Sequence, residues 1–247
     1  MSYAEAKILD QSLIPVVDIQ PLRDGSDPKG VAKLLHEASQ KLGFIYIKGH
    51  GIPEEVIDSA RAGAYEFFGQ TESVKAAVKV TAKHRGWLGQ GGAKMKDGAK
   101  ADLKESFIWG HEDDDRALMD HDLRGENIWP AELPHMSQQA MAYFQHAHKV
   151  AHHLMRGFAL GLDLDEDFFL KTASRPLSRA SYVYYPAQPA DLGSSQFGVG
   201  PHTDFGVLTV LCQDSVGGLQ VEDASGDWIQ APPIEGTLIV NVADLLS

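Results

Sequence analysis

The chain has 247 residues, of which 43% are hydrophobic and 23% are charged, a composition that supports an apolar core without disulfides or a structural metal. With 22 Lys and Arg against 34 Asp and Glu, the formal net charge is −12. This charge argues against a protein that binds nucleic acid or an anionic membrane surface, because both need basic patches, and the single cysteine, Cys212, excludes an internal disulfide.

Helical patterns dominate the first part of the chain. Asp27 and Pro28 have the form of an N-cap followed by a proline at the first helical position, and Gly43 is expected to end that helix. Further helices are predicted to begin at Pro53 and Glu72. Short apolar runs also predict two strands, Ile14–Asp18 and Phe44–Ile47.

Two polar stretches in this part are interpreted as loops. Residues 85–100 are rich in Gly and Lys, and we expect a mobile loop rather than a phosphate-binding loop, because no Lys-Ser/Thr opens a helix after it. The acidic run at residues 112–116 is expected to be a solvated turn, since the alternating ligands and the glycine of a calcium loop are absent.

The second part begins with a long helix and continues as strands. Apolar residues recur at helical spacing from Met136 to Leu162. Beyond Pro176, short runs of β-forming residues alternate with Gly, Pro and Asp at roughly ten-residue spacing, which indicates an antiparallel sandwich or barrel. The predicted strands are Ala180–Tyr185, Phe197–His202, Val207–Cys212, Gly218–Glu222, Trp228–Ala231 and Leu238–Val242. This layout predicts an α+β fold in which helices pack on a β core.

The clearest chemical signal is the sequence His202-Thr203-Asp204. If this segment is extended, residues i and i+2 share one face, so the imidazole and the carboxylate point together. An imidazole nitrogen and a carboxylate oxygen are two of the three protein ligands in the 2-His-1-carboxylate site of non-haem iron oxygenases. By itself an H-x-D sequence is a weak signal, and a structural or surface role for both residues stays open.

Longer stretches resemble the 2-oxoglutarate- and Fe(II)-dependent dioxygenase superfamily, in its isopenicillin-N-synthase-like branch. The matching sequences in the second part are YVYYPAQP, HTDFGVLTVLCQDSVGGLQV and WIQAPPIEGTLIVNVAD. In the first part they are IPVVDI, LGFIYIKGHGIP, RGWLG and DLKESFIWG. The resemblance implies a helical N-terminal cap domain over residues 1–135. Over residues 136–247 it implies a helix followed by a double-stranded β-helix (jelly-roll) core that lacks its last strands.

The resemblance also implies roles for individual residues. His202 and Asp204 would ligate Fe(II). Tyr185 would lie near the co-substrate 2-oxoglutarate, and Phe205 and Leu208 would line the substrate pocket; for these three, an ordinary core role is the alternative. The implied reaction is oxidation of a small organic substrate (hydroxylation, desaturation or ring closure) with O2 and 2-oxoglutarate, and ascorbate is a further candidate reductant.

Two features depart from the family pattern. Members have a second histidine ligand on a later strand, followed by an Arg-x-Ser sequence that binds 2-oxoglutarate. None of the 43 residues after Asp204 is His or Arg, so we expect a chain truncated at its C-terminus, and an inactive fragment or degenerate homologue with at most a binding role is the alternative function. Ala243 stands where the family usually has glycine. A cupin-like binding protein would fit the strands but not the matches in the first part.

The remaining polar candidates are expected to have structural roles. Lys149 occupies the position of the catalytic glutamate of an H-E-x-x-H zinc site, which argues against a metalloprotease. The residues assigned structural roles are His50, Lys104, Glu105, His146, His148, His152, His153 and Cys212. We expect a cytoplasmic protein, since no secretory signal or membrane-spanning apolar run is visible. We also expect it to be a monomer.

Overall fold

A computed structural model describes residues 14–92, 102–112, 121–187 and 198–246. Half of the loop predicted at residues 85–100 and most of the turn predicted at residues 112–116 lie outside the described residues. The chain divides into two compact units. Unit 1 comprises Met1–Gly51, Ala147–Ser174 and Thr203–Ser247, and unit 2 comprises Ile52–His146 and Arg175–His202, so far as these ranges are described. Both units draw segments from either side of residue 135, and the domain division expected there stays a prediction.

Helices and short strands are interspersed along the described part of the chain. In chain order the elements are β1 (Val16–Asp18), α1 (Gln20–Asp24), α2 (Pro28–Leu42), β2 (Phe44–Lys48), α3 (Glu54–Phe68), α4 (Glu72–Ala77), β3 (Gly86–Leu88), β4 (Glu105–Gly110), α5 (Met136–Gly161), α6 (Phe168–Thr172), β5 (Arg179–Tyr184), β6 (Leu208–Leu211), β7 (Gln220–Glu222), β8 (Trp228–Gln230) and β9 (Leu238–Val242). None of the helices in these ranges has both the length and the apolar content needed to cross a lipid bilayer.

The main sheet of unit 1 combines strands from distant parts of the sequence. Its strand order is β1-β2-β9-β6. β1 runs parallel to β2, whereas β9 is antiparallel to both of its neighbours, β2 and β6. β7 and β8 form a separate antiparallel pair. Residues predicted to be strands of the cap and of the β core therefore share one sheet.

Local sequence explains where α2 begins and ends. The Asp27 side chain accepts a hydrogen bond from the backbone N–H of Gly30 at 2.9 Å, as an N-cap residue does. Gly43 ends the helix with φ 71°, a left-handed conformation that glycine adopts readily. The buried side chains of Val31 and Leu35 lie on the face of α2 that packs against β1 and β2. The prediction of this helix and of the strand that follows it is confirmed.

One part of the core of unit 1 lies between the sheet and the β7–β8 pair. Tyr46 on β2 and Ile239 on β9 are buried together with Val221 of β7 and Ile229 of β8. The Tyr46 hydroxyl donates a hydrogen bond to the carbonyl oxygen of Pro232 at 2.5 Å. The small β7–β8 pair is thus held to the main sheet by apolar contacts and by this bond.

Unit 2 is built on an antiparallel sheet with the strand order β3-β4-β5. Phe107 of β4 stands opposite Trp87 of β3 on one side and Tyr182 of β5 on the other. Phe107 and Trp109 are completely buried, and Phe67 of α3 packs against them together with the first residues of α5. Aromatic side chains therefore supply most of the volume of this core.

A buried ion pair accompanies the aromatic core of unit 2. Lys75 Nζ lies 2.8 Å from Glu105 Oε2, with both side chains 11% exposed. The indole N–H of Trp87 donates to the same oxygen at 2.8 Å, and the ammonium lies 5.3 Å from the centre of the indole ring. The buried charges of Lys75 and Glu105 are thus paired, and the Glu105 carboxylate accepts a second hydrogen bond from a neutral donor, which is the condition under which such a pair is tolerated.

The structure corrects the sequence prediction in two places. Residues 198–202 are irregular where a strand was predicted over Phe197–His202, because both polar groups of the Gly200 backbone bond to side chains instead of a neighbouring strand. Conversely, Gly86–Leu88 form a strand inside the predicted loop, since they pair with β4. Glycine content is a local signal and does not reveal such a pairing.

The hydroxyl groups of two tyrosines provide a stability test. The Tyr182 hydroxyl is buried and has no hydrogen-bond partner among the described residues. We therefore expect Tyr182→Phe to raise the free energy of unfolding by about 1 kcal/mol. Tyr46→Phe removes the bond to Pro232 and should lower it by about 1 kcal/mol. Urea denaturation followed by circular dichroism measures both, and equal losses in the two variants would contradict the expectation.

Candidate metal centre

His202 lies at the end of the irregular segment 198–202 in unit 2. Its side chain is exposed, and its Nδ1 atom lies 2.8 Å from the carbonyl oxygen of Gly200. Since a carbonyl oxygen only accepts, Nδ1–H is the donor, and in the neutral imidazole the lone pair then lies on Nε2. Metal-binding histidines commonly have this tautomer: one ring nitrogen donates its proton to a backbone carbonyl, and the lone pair of the other nitrogen binds the metal.

A buried carboxylate holds the peptide that orients His202. Asp102 is 3% exposed, and its Oδ1 atom accepts a hydrogen bond from the backbone N–H of Gly200 at 3.2 Å. Lys104 Nζ lies 3.7 Å from the other carboxylate oxygen, Oδ2. Sequence reasoning missed Asp102 because its partner Gly200 is 98 residues away, and no local pattern predicts such a contact.

Asp204 lies in unit 1, in the loop before β6. Its Oδ2 atom accepts two hydrogen bonds, one from Thr209 Oγ1 at 2.6 Å and one from Asn241 Nδ2 at 2.9 Å. Both donors belong to strands, Thr209 to β6 and Asn241 to β9. Sequence reasoning missed them as well; the signal that could have revealed them is a polar residue inside an otherwise apolar strand.

Backbone hydrogen bonds continue the β6–β9 pairing into the loop that carries Asp204. The N–H groups of Ala243, Asp244 and Leu245 donate to the carbonyl oxygens of Val207, Asp204 and Gly206, respectively. Gly206 has φ 97°, a value that favours glycine, and it turns the chain between Asp204 and β6. Ala243 is buried and does not have a positive φ. The fold therefore accommodates its methyl group where the family usually has glycine.

The three other predicted site residues lie on different elements. Tyr185 follows β5 in unit 2, is 53% exposed, and packs its ring against Gly198, where a Cβ atom would come within 2.8 Å of the ring. In unit 1, Phe205 is 89% exposed, which argues against a core role. Leu208 is partly buried and begins β6 opposite Val242. The roles of these residues toward 2-oxoglutarate and substrate stay predictions.

The donor chemistry of His202 and Asp204 suits ferrous iron. A neutral imidazole and a carboxylate are two of the three protein donors that a 2-His-1-carboxylate site uses. Within the described ranges, no group of three or more His, Cys, Asp or Glu side chains is arranged to hold a metal ion.

The rings of His148 and His152 on α5 lie against each other, with centroids 4.4 Å apart. Burial and the nearby Arg23 lower the pKa of His50, as expected for a structural histidine.

Comparison with known proteins identifies the family. Residues 14–132 match the family described as "non-haem dioxygenase in morphine synthesis N-terminal". Residues 175–247 match the family described as "2OG-Fe(II) oxygenase superfamily". The chain belongs to the 2OG-Fe(II) oxygenase superfamily, whose enzymes depend on ferrous iron and 2-oxoglutarate.

Individual relatives match over nearly the whole chain. The 2-oxoglutarate-Fe(II) type oxidoreductase ppzC of Metarhizium rileyi is 34% identical, over 95% of this chain and 69% of its own length. A homoarginine-6-hydroxylase of Glycine max is 34% identical, over 96% of this chain and 77% of its own length. A crystal structure of a full-length Neurospora crassa protein in complex with alpha-KG has a TM-score of 0.84 at 29% identity and covers 98% of this chain and 77% of that chain.

These similarities confirm several expectations from the sequence. They bear out the α+β fold with the jelly-roll core of the oxygenases, and the assignment of the chain to enzymes that use Fe(II) and 2-oxoglutarate on small organic substrates. They do not support the alternative of an inactive fragment or degenerate homologue.

The phenol of Tyr185 provides a pH test in unit 2. Desolvation and, to a smaller extent, the negative charge of Asp102 raise the pKa of Tyr185 above its ordinary value of 10.0. The stability that the neutral phenol contributes is therefore complete below pH 10.0 and is lost as the pH rises through the folded-state pKa. Ultraviolet titration of tyrosinate should show that Tyr185→Phe removes a step that lies above pH 10.0 in the wild type.

Asp102→Asn is the matched variant for this titration. It removes the carboxylate charge, so the Tyr185 step should move toward pH 10.0 without disappearing. A Tyr185 step at or below pH 10.0 in the wild-type chain would contradict the assigned environment.

Proposed function

We propose that this chain oxidises a small organic substrate with O2 and 2-oxoglutarate at a ferrous ion ligated by His202 and Asp204. The observation that carries the proposal is the local hydrogen bonding of these two residues. The bond from Nδ1 of His202 to Gly200 leaves the ring lone pair on Nε2. The carboxylate of Asp204 is oriented by two donors from strands. Both residues lie in the segment that matches the oxygenase superfamily.

The residues of this chain would position the reactants rather than transfer protons. When bound, iron and 2-oxoglutarate supply the oxidising power, by coupling O2 reduction to the decarboxylation of 2-oxoglutarate. His202 and Asp204 would hold the metal and determine which of its positions stay open. Tyr185 would act as a neutral hydrogen-bond donor toward 2-oxoglutarate, because a phenol keeps its proton at neutral pH and the raised pKa of Tyr185 favours this form further. Phe205 and Leu208 would exclude water from the substrate.

The substrate is proposed only as a class. One relative is named as a hydroxylase of homoarginine and another as a dioxygenase of validamycin A, so the family accepts unlike small molecules. Hydroxylation, desaturation and ring closure all stay within the proposal, and ascorbate stays a candidate reductant.

The net charge of −12 supports the proposal that the protein binds neither nucleic acid nor anionic membranes, because an acidic surface repels phosphate-rich partners. We also expect a monomer located in the cytoplasm. Size-exclusion chromatography with light scattering tests the oligomeric state, and a mass of twice the chain's 26.9 kDa would contradict the monomer.

Metal binding tests the proposed ligands directly. In an anaerobic Fe(II) titration followed by calorimetry, we expect saturable binding of one ion per wild-type chain. His202→Ala and Asp204→Ala should each abolish it, because each leaves only one of the two proposed protein donors.

His152→Ala is the matched control for loss of a histidine. This residue lies on α5, and its ring packs against His148, so its loss should leave iron binding unchanged. Binding that is indistinguishable in the wild type and in both ligand variants would refute the proposed site.

A further inference from the structure

The segment that carries His202 is held by side chains rather than by a sheet. Residues 198–202 are irregular and pair with no strand in the part of the chain that the structure describes. Two glycines of the segment instead contact two side chains of unit 2, Tyr185 and Asp102. These contacts take the place of the backbone ladder that fixes a residue on a strand.

The contact at Gly198 leaves no room for a side chain. A Cβ atom at this position would come within 2.8 Å of Cδ1 and 3.0 Å of Cε1 of the Tyr185 ring, whereas carbon atoms in contact lie about 3.5–4.0 Å apart. Because Gly198 has no Cβ atom, its backbone lies directly against the ring. Tyr185 follows β5, whose last residue Tyr184 stacks on Phe68 of α3 with ring centroids 5.1 Å apart, so the strand end that carries the ring is anchored.

The contact at Gly200 is made by a carboxylate whose own backbone is fixed. Asp102 is 3% exposed, and its Oδ1 atom accepts the Gly200 N–H at 3.2 Å. The backbone carbonyl oxygen of Asp102 accepts a hydrogen bond from the N–H of Gly91 at 3.1 Å. Since β4 begins beside the end of β5, Asp102 and Tyr185 stand at the same end of the sheet.

The chain between Gly200 and His202 is short and stiff. It contains only Pro201, whose ring fixes φ at about −65° and restricts the residue before it to extended conformations. The N–H and the carbonyl of Gly200 belong to two different peptide groups. Asp102 therefore acts on the imidazole by fixing the position of Gly200, whose carbonyl oxygen accepts the bond from His202 Nδ1 at 2.8 Å.

We infer that Asp102 and the ring of Tyr185 are positioning residues for His202, which hold the segment so that the Gly200 carbonyl meets Nδ1–H and the imidazole keeps its lone pair on Nε2. For Tyr185 this role belongs to the face of the ring and is separate from the role proposed for its hydroxyl. The inference rests on the proposed function, since it explains the orientation of a proposed metal ligand.

Nitrogen-15 NMR of the metal-free protein tests the first contact, because the chemical shift of a ring nitrogen shows whether it carries the proton. At about pH 9, where histidine side chains are neutral, the His202 signals, identified by their loss in His202→Ala, should show the proton on Nδ1. Asp102→Leu removes the acceptor of the Gly200 N–H and should give a mixture of both tautomers. Asp102→Asn keeps an oxygen acceptor and should retain the wild-type tautomer.

The second contact is tested in the same way. Gly198→Ala places a Cβ atom against the Tyr185 ring, displaces the segment and should also give a mixture of tautomers. Tyr185→Phe keeps the ring and should retain the proton on Nδ1. Circular dichroism identifies variants that lose the fold, and if Asp102→Leu is one of them, the comparison of Gly198→Ala with Tyr185→Phe decides.

Asn127→Leu is the matched control. Asn127 Oδ1 accepts the N–H of Gly110 at 2.9 Å, so this variant also removes a side-chain acceptor from a glycine of unit 2, but from one outside residues 198–202. Its His202 tautomer should equal that of the wild type. A change of the same size in this variant would show that the tautomer reports general loosening of the unit, and the inference would be overturned.

Mn(II) binding measures the consequence for the proposed ligand, since Mn(II) takes nitrogen and oxygen donors like those of Fe(II). Asp102→Leu and Gly198→Ala should each raise the Kd for Mn(II) by about tenfold or more, the usual effect of removing a group that orients a metal ligand. Asp102→Asn and Asn127→Leu should bind Mn(II) like the wild type.

The outcomes distinguish this inference from the proposed function. If Asp102→Leu and Gly198→Ala keep both the tautomer and the Mn(II) affinity of the wild type while His202→Ala abolishes Mn(II) binding, the positioning role is overturned and the iron site stands. A wild-type His202 that carries its proton on Nε2 also overturns the inference. If the tautomer changes as expected but the wild type binds Mn(II) no more tightly than His202→Ala, the hold on His202 stands and the proposed metal ligand is refuted.

Discussion

The position of β9 between β2 and β6 is the constraint on which unit 1 depends. Pairing with β2 joins strands from distant parts of the sequence in one sheet, and Leu238, Ile239 and Val240 contribute fully buried side chains to its core. Asn241 on the same strand donates to the Asp204 carboxylate. The packing of the core and the orientation of a proposed metal ligand thus depend on the same five-residue strand.

Unit 2 holds its proposed ligand by different means. No strand carries His202; instead, the Gly200 peptide links the buried Asp102 carboxylate to the imidazole. Asp102 stands close before β4, whose Phe107 and Trp109 are completely buried. In both units, therefore, a residue in irregular backbone is oriented by groups that lie on a well-packed strand or just before one, and such anchoring gives a loop residue a more precise position.

Much of the secondary structure could be predicted because its signals are local. The N-cap Asp27 and the C-cap Gly43 mark α2 at both ends, and Leu238–Val242 is a strand with the predicted bounds. β3 and β4 were not predicted, because these short strands are stabilised by their pairing with other strands. The pairing of Trp87 with Phe107 is such a contact, and no local sequence pattern indicates it. The irregular backbone at residues 198–202 has a similar origin, since the Asp102 carboxylate, 98 residues away, accepts the hydrogen bond of the Gly200 N–H.

The sequence by itself determined the class of protein. His202 and Asp204 are a histidine and a carboxylate with the spacing proposed for the iron site, and the motifs around them identify the oxygenase superfamily. Only the tertiary structure decided which atoms of these residues are engaged. Nδ1 of His202 bonds to Gly200, and Oδ2 of Asp204 bonds to Asn241, which is 37 residues away. The physical reason is that the side chain of a residue fixes which donor and acceptor atoms it offers. The partners of those atoms depend on which distant segment the fold brings beside them.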